Sequence, residues 1–143
     1  TIHPEVKKKR ICFDISMEHG IYVECYAPHD LMTICSLNGD LKYNIYGPNW
    51  DTETHGIYHF GPVKFCNNRI VALYSGEKIL NKEGRSNFPT KFLVFDLDGN
   101  YLKTLETGYK IARFCYDRDN NRILLSMDDD IQFGYLDMKE FLD

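Results

Sequence analysis

FLVFDLDGNYLKTLETG, residues 92–108, and LMTICSLNGDLKYNIYG, residues 31–47, carry one pattern twice. In each, an apolar run meets a turn, Asp98-Gly99 in one and Asn38-Gly39 in the other, and a second strand-forming run follows. Asp-Gly and Asn-Gly tolerate the positive φ angles of two-residue hairpin turns, so both stretches read as β-hairpins. A second pattern, a turn followed by Ile and an apolar run, occurs three times: IYVECY at 21–26, IVALY at 70–74 and ILLSM at 123–127. The leading Ile21, Ile70 and Ile123 stand 49 and 53 residues apart. Ahead of each lies another apolar run: ICFDIS at 11–16, PVKFC at 62–66 and IARFCYD at 111–117.

The two patterns assemble into repeats. The first unit has strands at 11–16, 21–26, 31–37 and 41–46. The second has strands at 62–66, 69–74, 91–97 and 101–106, and the third at 111–117, 122–127 and 131–136. The third unit has no fourth strand; a helical turn at 138–142 takes its place. Asn67-Asn68 and Asn120-Asn121 serve the first turns of the second and third units.

FLVF, IVALY and ILL are apolar on both faces, whereas a sheet solvated on one face alternates. No stretch reads as a helix long enough to cover them, so the sheets must cover one another. Four-stranded antiparallel units of about 40–50 residues packed face on face are the blades of a β-propeller. The expected fold is therefore all-β. One domain, 1–143, holds blades at about 11–46, 62–106 and 111–137. Three blades cannot close a ring, since closed propellers have about 4–8.

Composition bounds the function. The chain has 143 residues, 43% hydrophobic and 14% aromatic, enough for a core. A formal net charge of −4 gives no electrostatic case for nucleic acid or an anionic membrane surface. The basic run Lys7-Lys8-Lys9-Arg10 reads as a solvated strand edge. No apolar stretch reaches the roughly 20 residues of a membrane-spanning helix. The sequence opens at Thr1 without an initiator Met, which reads as a processed or trimmed product. Cys12, Cys25, Cys35, Cys66 and Cys115 are odd in number, lack a C-x-x-C pair and lie in apolar runs. They read as buried free thiols.

The run FLVFDLDGNYLKTLETGYKI, followed by FCYDRDNNRILLSMDDDIQFGYLDM, resembles the C-terminal blades of TolB-like six-bladed propellers, a family abundant in gut Bacteroidetes. The resemblance is strongest over 62–137. It is carried by Phe95-Asp96-Leu97-Asp98-Gly99-Asn100, by Tyr116-Asp117 with Asn121-Arg122-Ile123, and by Phe133-Gly134-Tyr135-Leu136-Asp137. It implies a ring of six blades of which this chain is half, and an extracytoplasmic location, periplasmic or at the cell surface. It supplies no catalytic motif and no cofactor.

Few residues point to chemistry. Asp96-Leu97-Asp98-Gly99-Asn100 lacks the Gly and Glu spacing of an EF-hand, so it reads as a turn. Asp128-Asp129-Asp130 is a metal candidate, because clustered carboxylates suit Ca²⁺. His55 and His59 are spaced by four, but Gly56, Gly61 and Pro62 argue for a loop rather than a metal-facing helix. No nucleophile elbow or phosphate-cradling Gly-rich loop is present.

In an up-and-down blade the second-to-third loops and the blade-to-blade connections share one end. Those segments, 27–30, 47–61, 75–90, 107–110 and 128–130, are the longer ones, and rigid scaffolds display binding residues on such loops. The expected binding set is Trp50, His55, His59, Arg85, Tyr109 and Lys110, with His29 on the same face. The expected function is a non-catalytic binding or protein-interaction module for a glycan or peptide. Two alternatives stand beside it: part of an enzyme completed by a missing N-terminal half, and an assembly protein pairing through open blade faces. The expected partner is a second copy or that N-terminal half.

Overall fold

A computed structural model describes residues 10–50 and 56–141, with side chains described through Lys139. Among these residues the chain is all-β: three antiparallel sheets follow one another along the sequence. The first sheet, in order, is β1 (Ile11–Ser16), β2 (Ile21–Tyr26), β3 (Leu31–Ser36) and β4 (Leu41–Tyr46). The second is β5 (Ile57–Cys66), β6 (Arg69–Lys78), β7 (Lys91–Phe95) and β8 (Tyr101–Glu106). The third holds β9 (Ile111–Asp117), β10 (Arg122–Met127) and β11 (Phe133–Asp137), and ends in a single helical turn, α1 (Met138–Phe141).

Turn chemistry sets this order. Gly20, Asn67 and Asn121 hold positive φ angles of 68°, 56° and 49° in the first turn of each sheet. Gly39 and Gly99 do so, at 94° and 83°, in the hairpins that close the first two sheets. Asp96 builds the second hairpin: its Oδ1 accepts from the amides of Asp98 and Asn100 at 3.0 and 2.9 Å. That carboxylate is committed to the turn, as its sequence context indicates.

The middle sheet explains the apolar runs. Val71 and Leu73 of β6, with Phe92 and Val94 of β7, pack on Ile111, Phe114, Ile123 and Leu125 of the third sheet. Ile70 and Ala72 face the other way, onto Ile21, Val23, Met32 and Ile34 of the first sheet. A strand buried on both faces has no reason to alternate. The third sheet is different. Its outer face carries Leu124, Phe133 and Tyr135, which are 37%, 75% and 61% exposed. Mutual covering of the sheets stops there, and one face of the last sheet stays open, as three units that close no ring require.

The first strand of each sheet is an edge strand. β5 contacts β1, β2 and β9. Asp14 of β1 accepts the Phe65 amide of β5 at 2.8 Å. Asp14, Lys64 and Phe65, and Cys115 and Tyr116 together line a cavity of about 510 Å³, so all three first strands reach one space.

Several expected boundaries move. β5 begins at Ile57 rather than 62, and β6 runs to Lys78 rather than 74, because these wings pair with each other, Ile57 with Lys78 and Tyr58 with Glu77. Register shifts flanking Phe60 absorb Gly61-Pro62, since proline is accepted in a sheet at an irregularity. His59 is therefore a buried strand residue, 3% exposed, and not a loop residue. β7 stops at Phe95, and β11 starts at Phe133 rather than 131. All five cysteines are free, but Cys12 is half-buried and Cys115 is exposed, against the expectation of buried thiols throughout. Of the basic run only Arg10 is described, and it is exposed.

Candidate functional site

The long-loop segments do share one end of the molecule. The His59 amide donates to the Ala27 carbonyl at 2.8 Å, the Ile111 amide to Pro89 at 2.9 Å, and the Asp128 amide to Lys110 at 2.9 Å. The opposite end carries the short turns, where Arg118 and Glu18 lie 3.7 Å apart on the surface.

Tyr74 is the hinge point of the long-loop end. It sits where β6 passes into its wing, and its hydroxyl donates to Asp30 Oδ1 at 3.0 Å. Asp30 is 3% exposed and follows β2 in the first sheet, so the bond ties two sheets together. Gly47 exists for this carboxylate: a Cβ there would fall 2.1 Å from Asp30 Cγ. The Asn49 amide adds a weaker contact to Oδ2 at 3.4 Å.

His59 Nδ1 lies 3.4 Å from the Tyr74 oxygen. Since the Tyr74 proton goes to Asp30, that contact works only with Nδ1 as the donor. Nε2 is then left with a bare lone pair, buried and without a hydrogen-bond partner among the described residues; His29 Nδ1 is likewise buried without a partner among them. Burial lowers the His59 pKa below its ordinary value; the Asp30 charge works against this and His29 reinforces it. Burial also pushes the Tyr74 phenol up, helped by the Asp30 charge. Burial thus favours the neutral form of both the His59 imidazole and the Tyr74 phenol.

On the other side of Tyr74 lies a cleft of about 330 Å³. Tyr74, Glu77, Phe88, Lys91, Glu106 and Lys110 contribute to its wall. Lys91 Nζ stands 5.7 Å from the centre of the Tyr74 ring. Glu106 is held in place, accepting from Thr90 Oγ1 and from the Gly108 amide, each at 3.0 Å. An aromatic face, two ammonium groups and two carboxylates therefore surround one opening.

Of the residues singled out from sequence, Lys110 lines this cleft and His59 touches its Tyr74 from behind. Tyr109 is exposed and lines a separate apolar groove of about 300 Å³ between β8 and β11, with Leu105, Leu125 and Leu136. Trp50 is half-buried with its ring centre 4.7 Å from that of Tyr46, a packing position. Arg85 is exposed in a small tongue closed by a Leu80–Ser86 bridge, and it does not line the cleft. His55 lies outside the described residues. In the Asp128–Asp130 run, Asp129 Oδ2 accepts the Lys110 amide at 3.2 Å and Oδ1 the Asp130 amide at 2.9 Å. These bonds, that from Asp130 first, hold its carboxyl below the ordinary value. Among the described residues no group of three or more His, Cys, Asp or Glu is placed to hold a metal ion.

The sequence reading missed Asp30, Tyr74, Glu77, Lys91 and Glu106. Tyr74 and Asp30 had one weak signal, both standing at the long-loop ends of apolar strands. A scan against protein-family models finds no match for the chain. A search of the curated proteins finds none either.

Proposed function

We propose that this chain is a non-catalytic binding module that works through the long-loop end of a β-propeller. In this reading the three sheets are blades and the chain is half of a six-bladed ring of the TolB-like kind. Support for the blades comes from the repeated strand order, the packing of sheet on sheet and the convergence of the three first strands on one cavity.

One observation carries the functional reading: Lys91, Lys110, Glu77 and Glu106 line one cleft together with Tyr74, and Lys91 stands over the Tyr74 ring. Both charge signs beside an aromatic face suit a polar ligand with donors, acceptors and a flat apolar patch, such as a peptide or a glycan. Trp50, Arg85 and Tyr109 stand apart from the cleft and join the site only for an extended ligand. The test is titration of the labelled protein with a peptide library and an oligosaccharide set, read by amide chemical shifts. Binding that moves the 74–78, 88–91 and 106–110 amides, and that Lys110→Glu weakens at least about tenfold, supports the proposal. Shifts confined to the short-turn end overturn it.

Exposed Phe133 and Tyr135 favour a second reading, pairing through the open face of the third sheet. Partly exposed Leu124 extends that face, and contiguous apolar surface on a monomer marks an interface.

A further inference from the structure

Cys12 and Cys25 stand directly opposite each other in the β1–β2 ladder. Opposed residues of antiparallel strands project to the same face, with Cβ atoms about 4.5–5.5 Å apart. The neighbouring bond from the Ala27 amide to the Arg10 carbonyl, 3.0 Å, fixes the phase of the ladder. Two residues further along each strand, Cys12 and Cys25 form a hydrogen-bonded pair, for which the Cα separation is about 5.5 Å. That Cα value lies inside the window of about 4.4–6.8 Å that a disulfide spans. The Cβ atoms of a hydrogen-bonded pair start near about 5.5 Å, so closure to about 3.8 Å needs a movement of about 1.7 Å.

The other cysteines lack such a partner. Cys35 opposes Tyr22 in the β2–β3 ladder and points to the other face of the sheet. Cys66 belongs to the core between the second and third sheets. Cys115 opposes Leu124 on the open face of the third. Cys25 is wholly buried in the core between the first two sheets, and Cys12 packs at its margin, half-buried.

We infer that Cys12 and Cys25 are a disulfide site, whose oxidation staples the edge strand β1 to β2. The chemistry is thiol–disulfide exchange with a low-molecular-weight disulfide as oxidant. Cys12, the accessible partner, attacks as thiolate and forms a mixed disulfide, releasing one thiol. Cys25 then gives up its proton, attacks Cys12 Sγ and expels the second thiol. Two protein thiols lose two electrons and two protons, and the oxidant becomes two thiols. Burial pushes both thiols up from their ordinary values, so the exchange runs faster as pH rises. Among the described residues β1 pairs within its sheet with β2 alone, so the bond holds an edge that lines the 510 Å³ cavity.

The experiment treats the folded chain carrying Cys115→Ser with oxidised glutathione at about pH 8.5, then denatures and alkylates it. The expected result is a mass lower by about 2 Da before alkylation and a loss of two alkylatable thiols after it, with no bound glutathione. Cleavage after Glu18 and Glu24 then leaves the Cys12 peptide linked to the one that begins at Cys25. Cys12→Ser and Cys25→Ala each abolish the loss, and Cys35→Ala leaves it unchanged. Since Cys12 is half-buried, its variant keeps the test valid if Cys25→Ala does not fold. Full alkylation of all thiols after oxidation, stable glutathionylation of Cys12, or a link surviving in Cys12→Ser overturns the inference.

Discussion

The Tyr74 hydroxyl donates a hydrogen bond to Asp30 at 3.0 Å, joining the strand end of the middle sheet to a loop of the first. Both residues stand at the end where the long loops gather, with Asp30 deep in the structure. Tyr74→Phe keeps the ring and removes the donor, leaving a buried carboxylate short of a partner. The expected loss of stability is about 1–3 kcal/mol. Urea unfolding measures it, and an unchanged midpoint would show that Asp30 does not depend on Tyr74.

Gly47 fits beneath the same carboxylate. Gly47→Ala places a methyl carbon 2.1 Å from Asp30 Cγ, so the loop or the side chain must shift. Overpacking of this kind costs about 1–3 kcal/mol. In an Asp30→Ala background the cost falls toward zero, because the colliding group is gone. Equal costs in both backgrounds in a double-mutant cycle would place the effect elsewhere.

His59 makes stability depend on pH. Its folded pKa is lowered by burial, with His29 adding to the effect and Asp30 opposing it. The unfolded chain, with a pKa of about 6.5, therefore binds the proton more readily. Its contribution is fully present above that value. It falls as pH drops below about 6.5 and levels off once the folded pKa is passed. His59→Gln flattens this part of the pH–stability profile, as chemical denaturation between about pH 5 and 8 would register. A slope unchanged in the variant would assign it to another group.

Asn67 holds a φ of 56° in the tight turn between β5 and β6. Asn67→Ala keeps the β-carbon but loses the short polar side chain that eases the left-handed region, a cost of up to about 1 kcal/mol, whereas Asn67→Gly removes the β-carbon and with it the steric penalty. Thermal melts that rank the two replacements in the reverse order would contradict this account of the turn.

Strand order and most boundaries were legible because they rest on local chemistry. The turns at Gly20, Gly39, Asn67, Gly99 and Asn121 bracket apolar runs, and each pair of neighbouring strands is nearly contiguous in sequence. The wings of β5 and β6 were hidden because Gly61-Pro62 reads as a stop, while the pairing of Ile57 with Lys78 rescues it from 21 residues away. The site was less legible still. Asp30 and Tyr74 are 44 residues apart, and only the packing of two sheets brings them together. Lys110 was found because it lies in a loop; Lys91 was hidden at the start of a strand.

Exposed Phe133 and Tyr135 leave one face of the third sheet open, and among the described residues this sheet has three strands where the others have four. The proposal that these sheets are half of a ring is tested most directly by molar mass in solution, from light scattering after size exclusion. The account predicts a mass about twice 16.8 kDa that returns to 16.8 kDa when Phe133→Lys and Tyr135→Lys are combined. A monomer of 16.8 kDa at every concentration would contradict it, since the open face would then need no cover.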